Sequence, residues 1–406
     1  MPSKLVIIGT GFAGLWSAFS AKRLAKLSNR ENDIEIIVIA PKPSLVVRPR
    51  LYEANASNMT VSLEPLFKEA AITFIQGTVT TINPEANTLL VNSTTTESTL
   101  TYDRLILAAG SSVIRPKSVT GINEHAFDVD SLDGAVKLEA HLNNLPSLPA
   151  SPARDTIVVC GAGFTGLEIA TELPKRVAPD TKIIIVDSAD KLGNGLGPGP
   201  RPIITQALEE LNIEYKLGSP VASITADAVT LTSGETINTK TAIWTAGVRA
   251  TPLTQQIPAP KDPLGRLSVD TNLRVPSFPK IFATGDAAHA ATDTLGHYAM
   301  MSCQHALPMG RYSGHNAVAD LLGEPLVPYT QSSYGVCLDL GAWGTVICQG
   351  WEREVRMTGE VAKKVKGYIN QKLIYPPGGL AEALEAAGPG ELDFEELAKG
   401  ILQIVA

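Results

Sequence analysis

Residues 4–15 read KLVIIGTGFAGL, and this stretch decides the fold. An apolar run that ends at Ile8 is long enough for one buried parallel strand, and it leads into a glycine-rich turn and an Ala/Leu-rich helical segment. In such a unit Gly9 allows the tight turn, Gly11 lets a pyrophosphate approach the backbone, and Gly14 lets the helix pack closely on the strand. The helix N-terminus offers free N–H groups to phosphate, so the stretch predicts a dinucleotide site.

The same pattern recurs about 150 residues later, where residues 156–166 read TIVVCGAGFTG. Its glycines are Gly161, Gly163 and Gly166, and the next strand ends in Asp187. Two such units form an internal repeat, which is far more specific than either copy and predicts two nucleotide sites. A carboxylate at Asp187 can accept hydrogen bonds from both adenosine ribose hydroxyls and would repel a 2′-phosphate, so the second unit is expected to prefer NADH over NADPH.

The first unit lacks this acid. Residues 33–40, DIEIIVIA, predict its second strand, and Ala40 stands where a ribose-binding Asp or Glu is normal. Ribose contacts are therefore expected from the backbone or from Lys42.

Two further segments are candidates for cofactor contact. Residues 48–53, RPRLYE, are either a solvated loop or a segment that packs along a flavin with Arg48 or Arg50 facing phosphate. The small residues that follow a predicted strand at 104–107, including Ala109 and Gly110, form a turn where the backbone can approach a cofactor.

The composition excludes several classes of protein. The chain has 406 residues, of which 44% are hydrophobic and 18% charged, as in an ordinary globular protein of two or three domains. A net charge of −7 argues against nucleic acid as a partner. The four cysteines show no metal-ligand or C-x-x-C spacing, so neither a zinc site nor a dithiol redox centre is expected, and no metal is predicted. With no 18-residue apolar run and a strand beginning near residue 4, a cytoplasmic protein is expected.

Together the motifs resemble the flavoproteins with two dinucleotide-binding domains, and most closely the type II NADH dehydrogenase-like branch (single-subunit NADH:quinone oxidoreductases and apoptosis-inducing-factor-like enzymes). The resemblance covers roughly residues 4–350. Besides the two glycine motifs, it is carried by short segments that contain these residues: Tyr102, Asp103, Ala108, Ala109, Gly110, Glu168, Ala246, Gly247, Val248, Gly285 and Asp286.

The resemblance implies non-covalent FAD on the first unit, with Asp286 against the ribityl chain and Ala287 beside it, and NADH on the second unit. Glu168 matches an acid that family members hold near the nicotinamide, although a Glu in this position can also simply complement the helix dipole. Gln304 matches the first glutamine of a quinone-contact motif, whose second glutamine is replaced here by Pro308. In the resembled family residues 296–310, here called the acceptor segment, line the acceptor side of the flavin. Tyr298, Met300 and Met301 are expected to form a wall for a flat ring there, and His297 and His305 are either proton donors or ordinary packed or surface histidines.

The predicted fold class is α/β, with two Rossmann-like domains of the glutathione-reductase-like type and a smaller α+β C-terminal region. The expected FAD-binding domain is discontinuous (1–118 and 265–325), followed by an NAD(H)-binding domain (119–264) and a C-terminal region (326–406). The Pro/Ser-rich stretch 143–153 is the most boundary-like segment by composition. The acidic amphipathic tail at 393–405 favours a packed or dimer-contact helix over a membrane-seated one, so membrane contact is at most peripheral and a homodimer is possible.

Three functions follow from this sequence. The first is FAD-dependent transfer of hydride from NADH to flavin N5 and then of electrons to a quinone-like organic acceptor. The second is the same chemistry serving a small electron-carrier protein or a biosynthetic intermediate. The third is a non-enzymatic role in which NADH switches the interactions of a flavoprotein.

Overall fold

A parallel sheet forms around the opening strand of the computed structural model, which describes residues 1–93, 96–391 and 393–405. Because both faces of this sheet are covered, its strands are near-continuous runs of Val, Ile and Leu. Adjacent strands of this sheet pair in parallel, except that Arg274–Val275 and Phe278–Ala283 pair antiparallel. The strand order is Arg274–Val275, Phe278–Ala283, Arg104–Leu107, Ser3–Ile8, Ile34–Ala40 and Thr73–Gln76.

A second parallel sheet forms around the repeat of this strand. Its order is Ala126–Phe127, Thr241–Trp244, Thr156–Cys160, Lys182–Val186 and Ile213–Lys216. The strand Ala126–Phe127 precedes the Pro/Ser-rich stretch 143–153 in the chain and already pairs with Thr241–Trp244. The expectation that this stretch divides two units was therefore wrong, because it connects elements of one sheet.

Antiparallel strands complete the molecule. From their sequence, residues 333–338 and 344–348 are expected to form two antiparallel strands. The structure confirms them and adds a third strand, so that the C-terminal sheet has the order Gly335–Asp339, Thr345–Gln349 and Glu354–Thr358. The remaining antiparallel strands are Ser44–Val46, Thr60–Ser62, Thr78–Asn83, Thr88–Asn92, Glu97–Thr101, Ser111–Val113, Val221–Ile224, Ala228–Leu231, Thr236–Asn238 and Val248–Ala250. Two short strands, Leu267–Ser268 and Ala288–His289, pair in parallel.

The helices cover the sheets and close the C-terminal region. The α-helices are Phe12–Leu27, Glu64–Glu69, Ile122–His125, Leu132–Asn144, Phe164–Glu172, Arg201–Glu210, Cys303–Leu322, Gly359–Tyr368, Leu380–Ala386 and Phe394–Val405. Residues 284–288, TGDAA, follow a predicted strand, and from the sequence they are expected to begin a helix. In the structure a short 3-10 turn, Gly285–Ala287, leads into a strand instead, so this expectation was wrong. Among the described helices, none combines the length and the apolar character that crossing a membrane requires.

A close helix contact places the acceptor segment next to the first glycine unit. Gly310 and Gly314 of the Cys303–Leu322 helix lie on the Phe12–Leu27 helix, where an added Cβ would approach the carbonyl oxygens of Ala13 and Ser17 to 2.4 and 2.1 Å. The hydroxyl of Ser17 donates to the Gly310 carbonyl (3.1 Å). The spacing of these glycines was a signal that the sequence analysis did not use.

Candidate active site

A continuous cavity of about 1240 Å³ joins the first glycine unit, part of the second unit and the C-terminal sheet. This is larger than the roughly 300–1,000 Å³ of an ordinary small-molecule pocket, as expected for a dinucleotide together with a second reactant. Its lining includes Thr10, Ala40, Glu168, Tyr334 and Lys366.

The first glycine loop forms one end of this cavity. Gly9 has a φ of +109°, and a Cβ added at Gly14 would lie 2.0 Å from the Gly9 carbonyl oxygen, so helix and strand meet at a distance that only glycine allows. A Cβ at Gly11, in contrast, would meet open space. Gly11 precedes the helix without any side-chain cap, which leaves the first N–H groups free for phosphate.

Asp286 lies beside this loop with partners from two other segments. Its Oδ2 accepts hydrogen bonds from the Ser111 hydroxyl (2.6 Å) and from Arg48 Nη1 (3.4 Å), and Arg48 also forms an ion pair with Asp130. Burial raises the pKa of Asp286. The structure thus brings Arg48 and Asp286 together, which favours the packed interpretation of the 48–53 segment over a solvated loop.

The other predicted contacts of the first unit divide into two groups. Ala109 and Gly110 line the cavity, and Gly110 adopts a φ of +66°. Ala287 is fully buried but lies outside the cavity lining, and Lys42 is exposed and also outside it. The expected role of Lys42 at the ribose is thus not supported by its position in the structure.

The second unit repeats the backbone geometry of the first. A Cβ at Gly166 would lie 1.8 Å from the Gly161 carbonyl oxygen, a Cβ at Gly163 would meet open space, and Gly247 has a φ of +86°. The carboxylate of Asp187 accepts hydrogen bonds from Ala162 N (2.5 Å) and Ala189 N (2.7 Å), which holds it beside the glycine loop.

Glu168 is in a buried ion pair. It lies on the Phe164–Glu172 helix, is 4% exposed, and its Oε1 accepts hydrogen bonds from Lys366 Nζ (3.0 Å) and Asp339 N (3.2 Å). Burial raises the pKa of Glu168 from 4.5 to about 7. Burial alone would lower the pKa of Lys366, but the nearby Glu168 carboxylate raises it overall. This carboxylate is paired with a lysine inside the cavity wall and does more than complement the helix dipole.

Sequence reasoning missed both partners of the Glu168 carboxylate, Lys366 and Asp339, which come from the C-terminal region. Asp339 accepts hydrogen bonds from Tyr52 Oη (3.0 Å) and Gly341 N (3.0 Å), and it forms an ion pair with Lys363. Lys363 and Lys366 lie three residues apart on the Gly359–Tyr368 helix. This spacing places both lysines on one face of the helix, but it does not indicate which distant carboxylates they contact.

The acceptor segment is arranged differently from the expectation. The Gln304 amide lies against the backbone of Gly335: oriented to satisfy both atoms, its nitrogen donates to the carbonyl (2.5 Å) and its oxygen accepts from the N–H (3.2 Å). Pro308 lies inside the same helix and has no N–H, and the Gln304 carbonyl accepts instead from Gln331 Nε2 (3.3 Å). Gln304 lines the cavity, but its amide holds the start of a strand.

The expected wall of this segment is only partly formed. Met300 and Met301 line the cavity, whereas Tyr298 is 44% exposed and stacks on His289 at 4.1 Å. Neither His297 nor His305, the candidate proton donors, is part of the described lining. His297 pairs with Asp293, and burial lowers the pKa of His305 to about 4, which keeps it neutral.

Comparison with known proteins agrees with this arrangement. The pattern of the pyridine nucleotide-disulphide oxidoreductases matches residues 3–310. The chain belongs to this family. It is 41% identical over 398 residues to an NADH dehydrogenase-like protein of Mycobacterium tuberculosis (95% of this chain, 98% of the relative) and 30% identical over 358 residues to a demethylphylloquinone reductase of Synechocystis (85% and 86%).

The fold is shared with solved structures of low sequence identity. NDH2 of Plasmodium falciparum, solved in complex with NADH, superimposes with a TM-score of 0.75 at 15% identity and covers 95% of this chain and 97% of that protein. The predicted α/β fold class and the resemblance to the type II NADH dehydrogenase-like branch are confirmed.

This pyridine nucleotide-disulphide oxidoreductase is an enzyme whose cofactors are FAD and NADH. The residues present fit FAD, because the first glycine loop leaves open space above Gly11 and uncapped N–H groups at one end of the cavity. Despite the family's name, the four cysteines are free thiols. Burial raises the pKa of the two that line the cavity, Cys303 and Cys337, to about 11 and 12, so reactive thiolates are not available near neutral pH.

Proposed function

We propose that the enzyme reduces a quinone-like organic acceptor with NADH. In the balanced reaction NADH, one proton and the quinone give NAD⁺ and the quinol. Bound FAD supplies the two-electron chemistry between the two substrates. The proposal draws support from relatives named as quinone reductases.

The observation that carries the proposal is the course of the cavity. It connects the first glycine loop, at Gly11, with Glu168 and with a wall that contains Met300, Gln304 and Tyr334. In this wall Met300 and Met301 offer a polarizable surface to a flat ring. A small organic molecule fits such a space better than a carrier protein does.

We assign three positions to residues of this chain. The first glycine loop binds the FAD phosphates, with Arg48 and Asp286 holding the segments around the cofactor. The second loop binds NADH, with Asp187 at the adenosine ribose. Glu168 lies where its carboxylate can stabilise the positive charge that develops on the nicotinamide as hydride leaves, and Lys366 orients that carboxylate.

The test is steady-state oxidation of NADH by the flavin-loaded enzyme with a panel of acceptors. Short-chain benzoquinones and naphthoquinones should be reduced rapidly, and ferricyanide, which accepts electrons from most reduced flavoproteins, reports whether the flavin is active. Turnover with a carrier protein but with no quinone would favour the second function, and a long-lived reduced enzyme that reduces neither would favour the third.

The predicted domain bounds, homodimer, peripheral membrane contact and cytoplasmic location all stay predictions. They do not enter the argument for the acceptor.

A further inference from the structure

Arg353 is a buried charged side chain without an ion-pair partner among the described residues. In the part of the chain that the structure describes, the other charged side chains classed as buried each form an ion pair; these are Glu168, Arg266, Asp339 and Lys366. Arg353 is 6% exposed and has no carboxylate within ion-pair distance among the described residues. A buried charge without a partner is costly, so this position calls for a negative ligand.

The contacts of Arg353 are weak ones. Nη2 donates to the thioether sulfur of Met300 (3.1 Å), and the guanidinium lies 4.3 Å from the ring centroid of Tyr334. Nη1 is buried with no hydrogen-bond partner among the described residues. Thioether sulfur is a poor acceptor, and an aromatic ring attracts a cation without neutralising it. Movement of the flexible Met300 side chain, which is partly exposed, would leave two N–H donors for the oxygens of an anion.

The backbone holds Arg353 in this place. Arg353 follows the Gly350 turn between the last two strands of the C-terminal sheet and has a φ of +60°, a left-handed conformation that is uncommon for arginine. A different loop of the second unit, residues 193–199 after the strand Lys182–Val186, lies against it, since a Cβ added at Gly199 would be 2.6 Å from the Arg353 carbonyl oxygen.

Arg353 also lies on the side of the cavity where the acceptor segment lacks donors. It lines the cavity together with Met300, Gln304 and Tyr334. The amide of Gln304 is occupied by the Gly335 backbone, and Pro308 provides no amide at all. Arg353 is therefore the strongest hydrogen-bond donor in this wall, and it carries a full charge.

We propose that the acceptor is an acidic quinone, a quinone-like ring that carries a carboxylate, and that Arg353 binds this carboxylate. The proposal rests on the proposed function and narrows its substrate class. A planar guanidinium matches a carboxylate with two parallel hydrogen bonds, which a neutral quinone carbonyl cannot accept in the same way. The carboxylate of the acceptor would also supply the negative partner that Arg353 lacks among the described residues.

The test compares two acceptors with one ring. The first is 2-methyl-1,4-naphthoquinone with a propanoate side chain at position 3, and the second is its methyl ester. The acid carries a negative charge and the ester does not. With the flavin-loaded enzyme, the acid should have a kcat/KM at least about tenfold higher than the ester, as expected for a charge-assisted hydrogen bond. Equal values for the two compounds would overturn the proposal.

Variants then locate the effect. Arg353→Met should lower kcat/KM for the acid by about 10- to 100-fold and leave the ester within about twofold. Arg353→Lys keeps the charge and should recover part of the loss. Arg356→Met, which removes an exposed arginine of the same hairpin, is the matched control and should change neither value.

Other outcomes count against the assignment. Equal losses for acid and ester in Arg353→Met would place Arg353 at the ring carbonyl or the cofactor, and a raised KM for NADH would place it at the dinucleotide. If the unmodified enzyme turns over neither compound, quinone reduction itself is wrong. In that case acid binding, followed by the change in flavin absorbance, decides the role of Arg353: loss of binding in Arg353→Met supports it, and unchanged binding overturns it.

Discussion

The two glycine-rich units have the same backbone and different surroundings. In both, the third glycine packs against the carbonyl of the first at a distance that no side chain permits, and the middle glycine faces open space. In the first unit Gly9 and Gly11 line the cavity, whereas Gly161, Gly163 and Gly166 lie outside it. Under the proposed function the first motif would serve resident FAD and the second the NADH that enters and leaves, and the sequence of the motif does not distinguish the two.

The largest effects are expected from substitutions that fill the open space at the two middle glycines, Gly11 and Gly163. Because a Cβ at Gly11 or Gly163 meets no protein atom within 4 Å, Gly11→Val and Gly163→Val should both fold. Gly11→Val should be purified almost without flavin, since the side chain occupies the path of the pyrophosphate. Gly163→Val should keep its flavin and be reduced by NADH about 100-fold more slowly, because the dinucleotide is displaced.

Flavin absorbance per protein and stopped-flow reduction measure the two effects, and each variant is the control for the other. Circular dichroism of both checks the fold. Full flavin content in Gly11→Val, or normal reduction of Gly163→Val, would show that the nucleotides lie elsewhere.

A second prediction concerns Glu168, which lies where the two units meet. Glu168→Gln should slow flavin reduction by about 100-fold, the typical loss when one electrostatic contact to a transition state is removed, with flavin content unchanged. Burial raises the pKa of this carboxyl to about 7, so its ionised fraction increases as the pH rises through that value. Since the anion stabilises the developing nicotinamide charge, the reduction rate of the unmodified enzyme should rise through about pH 7, and that of the variant should not.

The control for Glu168→Gln must allow for its partner. Removing one member of a buried ion pair leaves Lys366 unpaired, which alone can destabilise a protein by about 3–5 kcal/mol. The double variant Glu168→Gln with Lys366→Met removes both charges. A return to the normal rate in the double variant would show that Glu168 acts through stability and has no direct role in hydride transfer.

Third, a substitution that removes the charge of Asp187 should reduce the selectivity of the second unit for NADH over NADPH. Asp187→Asn keeps a hydrogen-bond acceptor for Ala162 N or Ala189 N and removes the repulsion of a 2′-phosphate. If the repulsion between Asp187 and the 2′-phosphate costs about 1.4 kcal/mol, its removal would narrow the preference for NADH over NADPH about tenfold. Ratios of kcat/KM for the two cofactors measure this, and equal use of both by the unmodified enzyme would contradict the assignment.

A fourth test separates the resident cofactor from the exchangeable one. We expect FAD to stay bound through gel filtration while NADH is lost, because we assign FAD to the cavity and NADH to the glycine loop outside it. Acid precipitation should release the yellow colour into the supernatant, since no covalent attachment is expected. A colour that remains in the pellet would contradict non-covalent binding.

The features that could be predicted from the sequence are those that a local sequence pattern encodes. Strand, glycine turn and helix are contiguous in the chain, so the two units and their open middle glycines could be predicted from residues 4–15 and 156–166. The pairing of Glu168 with Lys366 joins residues 198 positions apart, and the strained Arg353 depends on a turn and on a loop of the second unit. These contacts depend on how distant segments pack, and no local spacing encodes that.

Gln304 is the case in which a motif match and the structure lead to different expectations, and it gives the smallest predicted effect. A direct quinone contact requires a free amide, but here both atoms of the amide bond to the backbone of Gly335. Loss of these bonds in Gln304→Ala should shift the start of the Gly335–Asp339 strand and raise the KM for a short-chain quinone by about fivefold or less, the equivalent of about 1 kcal/mol. Because the effect is structural, the thermal midpoint should fall with it, and the KM for NADH should stay constant. A raised quinone KM with an unchanged thermal midpoint would show instead that the amide leaves Gly335 and binds the acceptor itself.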